Sequence, residues 1–505
     1  MSFRAWPVLA VAVLAGLLYA MRLGDAPIYM MHDETQFALQ AQSIASSGRD
    51  LGGSRFPVFF REPEFPAGRD PVIIYASALA LSFFPFSEGS ARLATALIGA
   101  LDVVLVFLVA RRLFRSAYAG AIAAGFMALM PAHFIRARLG LSPMYSVPFV
   151  LLWLLTIVND ESRPSLKRMA LSGAWLGLGM YTYLASVVMM PLYLGLTCLL
   201  AGRAVNINSA FSAVAAFVAA LVPMLIWHAL HPERVGQVFG SYHEFSTTAQ
   251  LSLVDGIQAR IAMYWSFFNP EFLFMTGDTS LINSTRLIGF FPMAFMVLIP
   301  VGLYAIWKSE RPALWIIGIG LLTAPLASIV SGAIEMNRLM YAMPFGVLTA
   351  AIGVMTLIAG TGWRKGIGYA LMLSVAWQFV GFQADYYGDY RRRSAPWFGG
   401  NLRAAMTHVL DAQGTVATPI YISARIPFAS RYWRFNALRQ GDERLIDAPI
   451  YFADAPTDAP AGSKMICSVA QPDCAQLSAS GQWQITFTAT EPDRQPSFNV
   501  LTRQP

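Results

Sequence analysis

The sequence predicts a polytopic α-helical membrane protein that carries a small soluble α/β domain at its C-terminus. Three observations predict it. Of 505 residues, 56% are hydrophobic and 13% charged, for a mean hydropathy of +0.50, which excludes an ordinary water-soluble globule. Apolar stretches near the ~20 residues needed to cross a ~30 Å hydrocarbon core recur as far as residue 386. From residue 388 onward they stop, and short strand-like segments separated by Pro, Gly and Asp take their place.

The first element, within MSFRAWPVLAVAVLAGLLYAM, has one arginine ahead of an apolar run and no small-residue cleavage site followed by a polar start. It is therefore expected to remain as an anchor over residues 5–22. Further spans are predicted at 91–110, 117–135, 143–158, 169–184, 185–201, 209–230, 286–307, 313–332, 339–360 and 366–386, about eleven in all within a range of ten to thirteen. The unbroken run from Leu171 to Leu200 is divided at Tyr181–Tyr183 because it is too long for one untilted crossing. Residues 71–86, PVIIYASALALSFFPF, are short and end in Phe-Pro-Phe, as an interfacial or re-entrant helix would.

Arginine and lysine in short loops favour the cytoplasm. With 71–86 kept out of the count, the basic connections Arg111-Arg112-Arg115, Arg163-Lys167-Arg168, Arg203, Lys308-Arg311 and Arg364-Lys365 all fall on one side, together with Arg4. The expected topology has a cytoplasmic N-terminus. It leaves loops 23–90 and 231–285 and the tail outside, in the periplasm of a bacterial inner membrane. The chain divides into a membrane domain, 1–387, and a soluble domain, 388–505. Arg391-Arg392-Arg393 runs against this charge pattern, so either the tail is cytoplasmic or these arginines serve an anionic partner.

Within the tail, PIYIS, SKMICS and QWQITFTA read as strands and NLRAAMTHVLD as a helix. Cys467 and Cys474 either pair in an oxidising compartment or stay as two free thiols. Three cysteines in the whole chain exclude a disulfide scaffold, and no Cys/His spacing suggests zinc. The net charge of +7 is accounted for by basic anchoring loops, and no basic face with aromatic platforms points to nucleic acid.

Chemistry is expected on the outer side. In YMMHDETQFALQAQ the spacing Asp33-x-x-Gln36 fits a capping box at the start of a helix. A carboxylate fixed there, beside the bilayer, can also take a proton from an incoming hydroxyl. Glu34 points elsewhere on the helix, so one acid of the pair carries the chemistry. The first loop mixes Asp25, Asp50, Glu62, Glu64 and Asp70 with Arg49, Arg55, Arg61 and Arg69, which reads as solvated surface; a divalent metal held by several of these acids is the alternative, without a supporting spacing. Arg136, Arg138 and Arg338 sit at ends of spans, where an arginine either anchors to headgroups or binds a phosphate. Asp102 is the main ionisable group at mid-depth, and such scarcity speaks against an ion-coupled transporter.

With these residues in hand, the chain resembles the GT-C superfamily of polyprenyl-phosphate-sugar-dependent glycosyltransferases. It is similar to protein O-mannosyltransferases and to bacterial transferases that add aminoarabinose to lipid A or galacturonate to lipopolysaccharide. The resemblance is carried by HDETQFALQAQ, by DPVIIYASALALSFFPFSEGSARLATALIGALDVVLVFLVARRLF, and by MPAHFIRARLGLSP, SGAWLGLGMYTY, YWSFFNPEFLFMTGD and NRLMYAMP, in that order between residues 23 and 345. It implies an inverting transfer of a monosaccharide from a polyprenyl-phosphate donor to a hydroxyl of a lipid, glycan or protein. It also implies Asp33, in preference to Glu34, as general base. For the donor phosphate it implies Arg338 first and Arg138 second, with Arg136 beside them, and it expects His32, Asp70 and Tyr75 to meet substrate. No cofactor is implied beyond an optional divalent metal. The aminoarabinose enzymes carry a Pro-Pro pair and a Trp where this chain has Asp70-Pro71 and Ile74-Tyr75, so sugar and acceptor stay open. The competing readings are a transporter or flippase of lipid-linked sugars, a lipid-linked glycan ligase, and an anchor that presents the tail as a binding module.

Overall fold

A computed structural model describes residues 6–60, 70–158, 165–204, 207–233, 253–309, 311–331, 335–413, 418–454, 456 and 458–505. Arg4, Arg61, Glu62, Glu64, Arg69 and Arg163, and positions 234–252 of the second outer loop, lie outside them.

Each apolar segment named above holds a helix or a helix pair. In chain order the helices of this part are α1 Trp6–Ala20, α2 His32–Ser47, α3 Pro71–Leu81, α4 Glu88–Phe114, α5 Ala117–Ala128, α6 Pro131–Ala137, α7 Val147–Ile157, α8 Leu166–Gly179, α9 Ser186–Ala204 and α10 Ile207–Leu230. They continue with α11 Leu253–Ser266, α12 Phe295–Trp307, α13 Pro312–Thr323, α14 Leu326–Ser331, α15 Ala342–Ile358 and α16 Trp363–Tyr387. Among the described residues, four helices are long and apolar enough to cross a membrane unaided: α4, α10, Met336–Ile358 and α16. The α5–α6 pair, bent by 67° where Pro131 opens the second helix, brings the number to as many as five. The remaining apolar helices are shorter than a full crossing, α1 at 15 residues and α12 at 13 among them. The expected interfacial helix is α3: at 11 residues it is about 17 Å long, half a hydrocarbon core.

Close helix contact explains the glycine-rich motif. α8 packs on α10 through Gly173 and Gly177; a Cβ at Gly173 would lie 1.9 Å from the Ala213 carbonyl oxygen, and one at Gly177 2.8 Å from that of Phe217. Gly173→Val is expected to cost about 1–3 kcal/mol through forced separation of these helices. A lower melting temperature in detergent would show it, and an unchanged one would refute the contact.

α4 orders the two ends of the bundle. At its C-terminal end Arg112 donates to the Leu155 carbonyl, Arg311 to that of Leu113 at 3.0 Å, and Arg168 to that of Thr156 at 2.8 Å. Three of the basic connections therefore meet at one end. At the other end, about 40 Å away for 27 residues, Glu88 receives Arg403 at 2.7 Å and Arg439 at 3.7 Å from the C-terminal part of the chain. Tyr29 and the Asn401 amide both donate to Glu491, at 3.0 and 2.7 Å, and tie the first loop to the same part.

The C-terminal part is a five-stranded mixed sheet: β1 Ile420–Ser423, β2 Pro449–Phe452, β3 Lys464–Ser468, β4 Trp483–Thr490 and β5 Pro496–Arg503, in the order β2-β1-β3-β5-β4. β1 runs parallel to β2 and β3, while β5 is antiparallel to β3 and β4. All three expected strands and the expected helix, Leu402–Asp411, are present. Strand alternation fills both faces. Ile420, Ile422, Ile466 and Val500 pack beneath Leu402–Asp411 and Ala429–Gln440, whereas Tyr421, Met465, Cys467 and Leu501 meet Leu477 and Trp483 on the reverse. Cys467 and Cys474 are bonded to each other.

The arginine run after α16 is partly neutralised where it stands. Arg393 makes two bonds to Asp385 at 2.8 and 2.9 Å, and Arg392 pairs with Asp389 at 2.6 Å. Two of those three charges thus have local carboxylate partners. Asp102, deep in α4, is fully buried and lies 3.4 Å from His133 Nε2, while His133 Nδ1 meets the Tyr19 hydroxyl at 2.8 Å. This chain of polar groups joins α1, α4 and α6 inside the bundle.

Candidate active site

The head of α2 is fixed by its second acid. Glu34 is 1% exposed, and its Oε2 accepts the Met31 amide at 3.0 Å, so the capping interaction is Met31-x-x-Glu34. This corrects the expected Asp33-x-x-Gln36 cap: the helix begins two residues earlier, with Asp33 at its second position. The same carboxylate takes Arg92 Nε at 2.8 Å, Arg92 Nη2 at 3.0 Å and the Gly140 amide at 2.8 Å. A carboxylate with four donors and no exposure holds α2 to α4 and to the turn after α6. Glu34 is therefore a positioning residue.

Two buried arginines wrap the loop leading into α2. Arg92, 0% exposed, also donates to the carbonyls of Leu23, Pro27 and Tyr29 at 3.2, 2.9 and 2.7 Å. Arg138, likewise 0% exposed, donates to those of Tyr19, Met21, Arg22 and Ala26 at 2.6–3.0 Å. Four carbonyls occupy both terminal nitrogens of Arg138. Arg138 thus staples the first loop with its terminal nitrogens, while its Nε has no hydrogen-bond partner among the described residues.

Arg136, two residues earlier, is different. It is 2% exposed, and neither terminal nitrogen has a hydrogen-bond partner among the described residues. A buried guanidinium without donors satisfied is costly and calls for an anion. Tyr183, Asp278, Glu335 and Glu34 are in electrostatic reach of it, and Tyr183 in turn feels Arg338, Glu335, Arg136 and Asp70. Arg136, Arg338 and Asp70, three of the sequence candidates, thus all lie within electrostatic reach of Tyr183. Arg338 lies in the turn Met336–Tyr341, 3.9 Å from Glu335. Asp278 holds that turn: its Oδ2 accepts the Met336 amide at 3.0 Å and Asn283 Nδ2 at 2.9 Å.

Asp33 is partly open, with its side chain 27% exposed and His32 Nε2 3.7 Å from its carboxylate. It stands beside the positive end of the α2 dipole. His32 stacks on Phe428 of the C-terminal part, ring centres 4.1 Å apart and planes within 6°. Tyr432, in electrostatic reach of Glu34 and Asp33, donates to the Met30 carbonyl at 3.2 Å; burial first, then those two carboxylates, push its phenol up. Asp70 occupies the cap of α3. Tyr75 does not join the cluster: its hydroxyl donates to the Pro57 carbonyl at 2.7 Å, and desolvation, with a smaller push from Asp50, raises the phenol to about 12. Among the described residues, no three His, Cys, Asp or Glu side chains gather as a metal site.

Sequence reasoning did not single out Arg92, Tyr183, Asp278 or Glu335. Arg92 alone left a trace, as an arginine one turn into an apolar span, where a buried partner is required.

The comparisons now bear on this geometry. Residues 66–227 match the family model for dolichyl-phosphate-mannose-protein mannosyltransferases. A structure of ArnT from Cupriavidus metallidurans bound to undecaprenyl phosphate is similar over 99% of this chain and 98% of that one, with TM-score 0.63 and 13% identity. The apo form of the same protein gives TM-score 0.59, with 14% identity over 98% and 97%. The oligosaccharyltransferase AglB from Archaeoglobus fulgidus, in complex with an inhibitory peptide and a dolichol-phosphate, gives TM-score 0.51, with 13% identity over 99% of this chain and 74% of that one. No curated protein matches the sequence. The fold is thus similar to that of ArnT and AglB, and residues 66–227 carry the sequence match to the mannosyltransferase family model.

Proposed function

We propose that the protein is an inverting glycosyltransferase that moves a monosaccharide from a polyprenyl-phosphate donor to an acceptor hydroxyl on the outer face of a bacterial inner membrane. The observation that carries this reading is the buried guanidinium of Arg136, whose terminal nitrogens have no partner among the described residues and which lies in electrostatic reach of Glu34, next in sequence to the partly open carboxylate of Asp33. Asp33 removes the proton from the acceptor hydroxyl as its oxygen attacks the anomeric carbon. The bond from that carbon to the phosphate oxygen breaks, and Arg136, with Arg338, neutralises the charge left on the departing polyprenyl phosphate. One displacement inverts the anomeric centre. ArnT and AglB bind polyprenyl phosphates, which supports the same class of carrier here.

Sidedness is supported by three features. Three of the basic connections meet at the end of α4 away from Asp33, as the positive-inside pattern requires. The C-terminal sheet is docked at the Asp33 end. Its cysteines are bonded, as fits an oxidising compartment. About eleven crossings, with 388–505 as the outer domain, fit this arrangement.

The reading is tested by incubating purified protein with radiolabelled polyprenyl-phosphate monosaccharides and a membrane extract. Label is expected to leave one donor for an acceptor; no transfer from any donor would defeat the reading. Arg136→Gln is expected to raise the KM for donor roughly 10- to 150-fold, the loss of 1.5–3 kcal/mol in charge-assisted bonds. Its melting temperature should not fall, since no internal bond is lost. A destabilised variant with normal donor KM would make Arg136 structural.

A further inference from the structure

A cavity of about 300 Å³ opens between the head of α2 and the C-terminal sheet, at the lower end of the range for small-ligand pockets of roughly 300–1,000 Å³. His32 lines one wall, and Trp397, Phe428, Tyr432, Ser468 and Gln471 are among the residues that line the others. The cavity adjoins the general base, because His32 precedes Asp33 and Tyr432 is in electrostatic reach of Asp33. None of Arg136, Tyr183, Arg338 or Asp70 lines it.

Its walls have the two properties that a sugar ring requires. Trp397 is 45% exposed and has the Arg286 guanidinium 5.2 Å from its ring centre, so a large, braced aromatic surface is offered to solvent. Gln471 accepts the Ser423 hydroxyl on its Oε1 at 3.3 Å, which fixes an amide at the wall beside the Ser468 hydroxyl. Phe428 seals the junction of the two parts: its backbone is held at φ +56°, rarely adopted by a bulky residue, and its ring lies between His32 and Arg431, the latter 4.7 Å from its centre.

We propose that this cavity binds a sugar ring of the acceptor, so that the substrate receiving the transferred residue is a carbohydrate chain and the C-terminal domain selects it. A donor sugar belongs elsewhere, since its phosphate must reach the arginines and its tail the helices. The selective role rests on the transferase reading; the binding itself does not.

The test is saturation-transfer NMR on the full chain in detergent, with methyl glycosides of glucose, galactose, mannose and N-acetylglucosamine as probes. At least one glycoside is expected to bind, with about tenfold weaker binding for Trp397→Ala and near-normal binding for Trp397→Phe, as stacking worth about 1.4 kcal/mol implies. Absence of binding by all four glycosides, or equal binding by Trp397→Ala, overturns the proposal. In transfer assays an unchanged acceptor KM in Trp397→Ala overturns it alone, whereas absence of transfer from every donor defeats the transferase reading and leaves the glycoside result intact.

Discussion

Asp33→Asn is expected to lower turnover about 10²- to 10⁴-fold, the usual contribution of a positioned general base. The substitution keeps the size of the side chain and removes its ability to take a proton. Asp33 makes none of the four bonds that anchor the head of α2; those go to Glu34. Melting temperature and donor KM should therefore stay near those of the unaltered protein. Single-turnover measurement with labelled donor separates the outcomes. A fall in the chemical step with donor binding intact supports the assignment, and a variant that turns over normally removes Asp33 from the reaction.

Glu34→Ala is expected to have the largest effect on stability, about 3–5 kcal/mol, because it leaves the Arg92 guanidinium buried without its carboxylate. Both side chains are fully shielded, so water does not compensate. Activity falls too, but through loss of the fold of the first loop. The two neighbouring acids thus give opposite signatures: Asp33→Asn loses rate with stability kept, and Glu34→Ala loses stability first. Thermal unfolding in detergent, followed alongside donor turnover, reads both. If Glu34→Ala melts normally and Asp33→Asn does not, the roles are reversed.

The contrast also shows what a sequence conveys. The acidic pair was visible at once, and so was the need to divide labour between its members. The spacing, however, points to Asp33-x-x-Gln36, because Asp is favoured at a helix cap and Met is not, whereas the helix is capped through Met31 and Glu34. The choice is made by Arg92, 58 positions further on, through an ion pair that only the packed bundle creates. Arg136 and Arg138 teach the same lesson. Both are basic residues in one short motif, yet a turn of backbone sends one into the carbonyls of residues 19–26 and leaves the terminal nitrogens of the other without partners among the described residues. Three of the tail strands were legible because Pro, Gly and Asp punctuate them and because QWQITFTA alternates polar and apolar residues. Span lengths were less so: Pro131 bends one expected crossing by 67°, and a hydropathy window averages over such a bend.

The two staples around the first loop have a bearing on how the chain is made. Carbonyls at Leu23 and Tyr19 bond to donors that lie 69 and 119 residues later. During synthesis the segment before α2 must wait for both arginines to emerge and insert before it can close. The head of α2, with Asp33 at its second position, is set in place only after the greasy frame around it has been assembled.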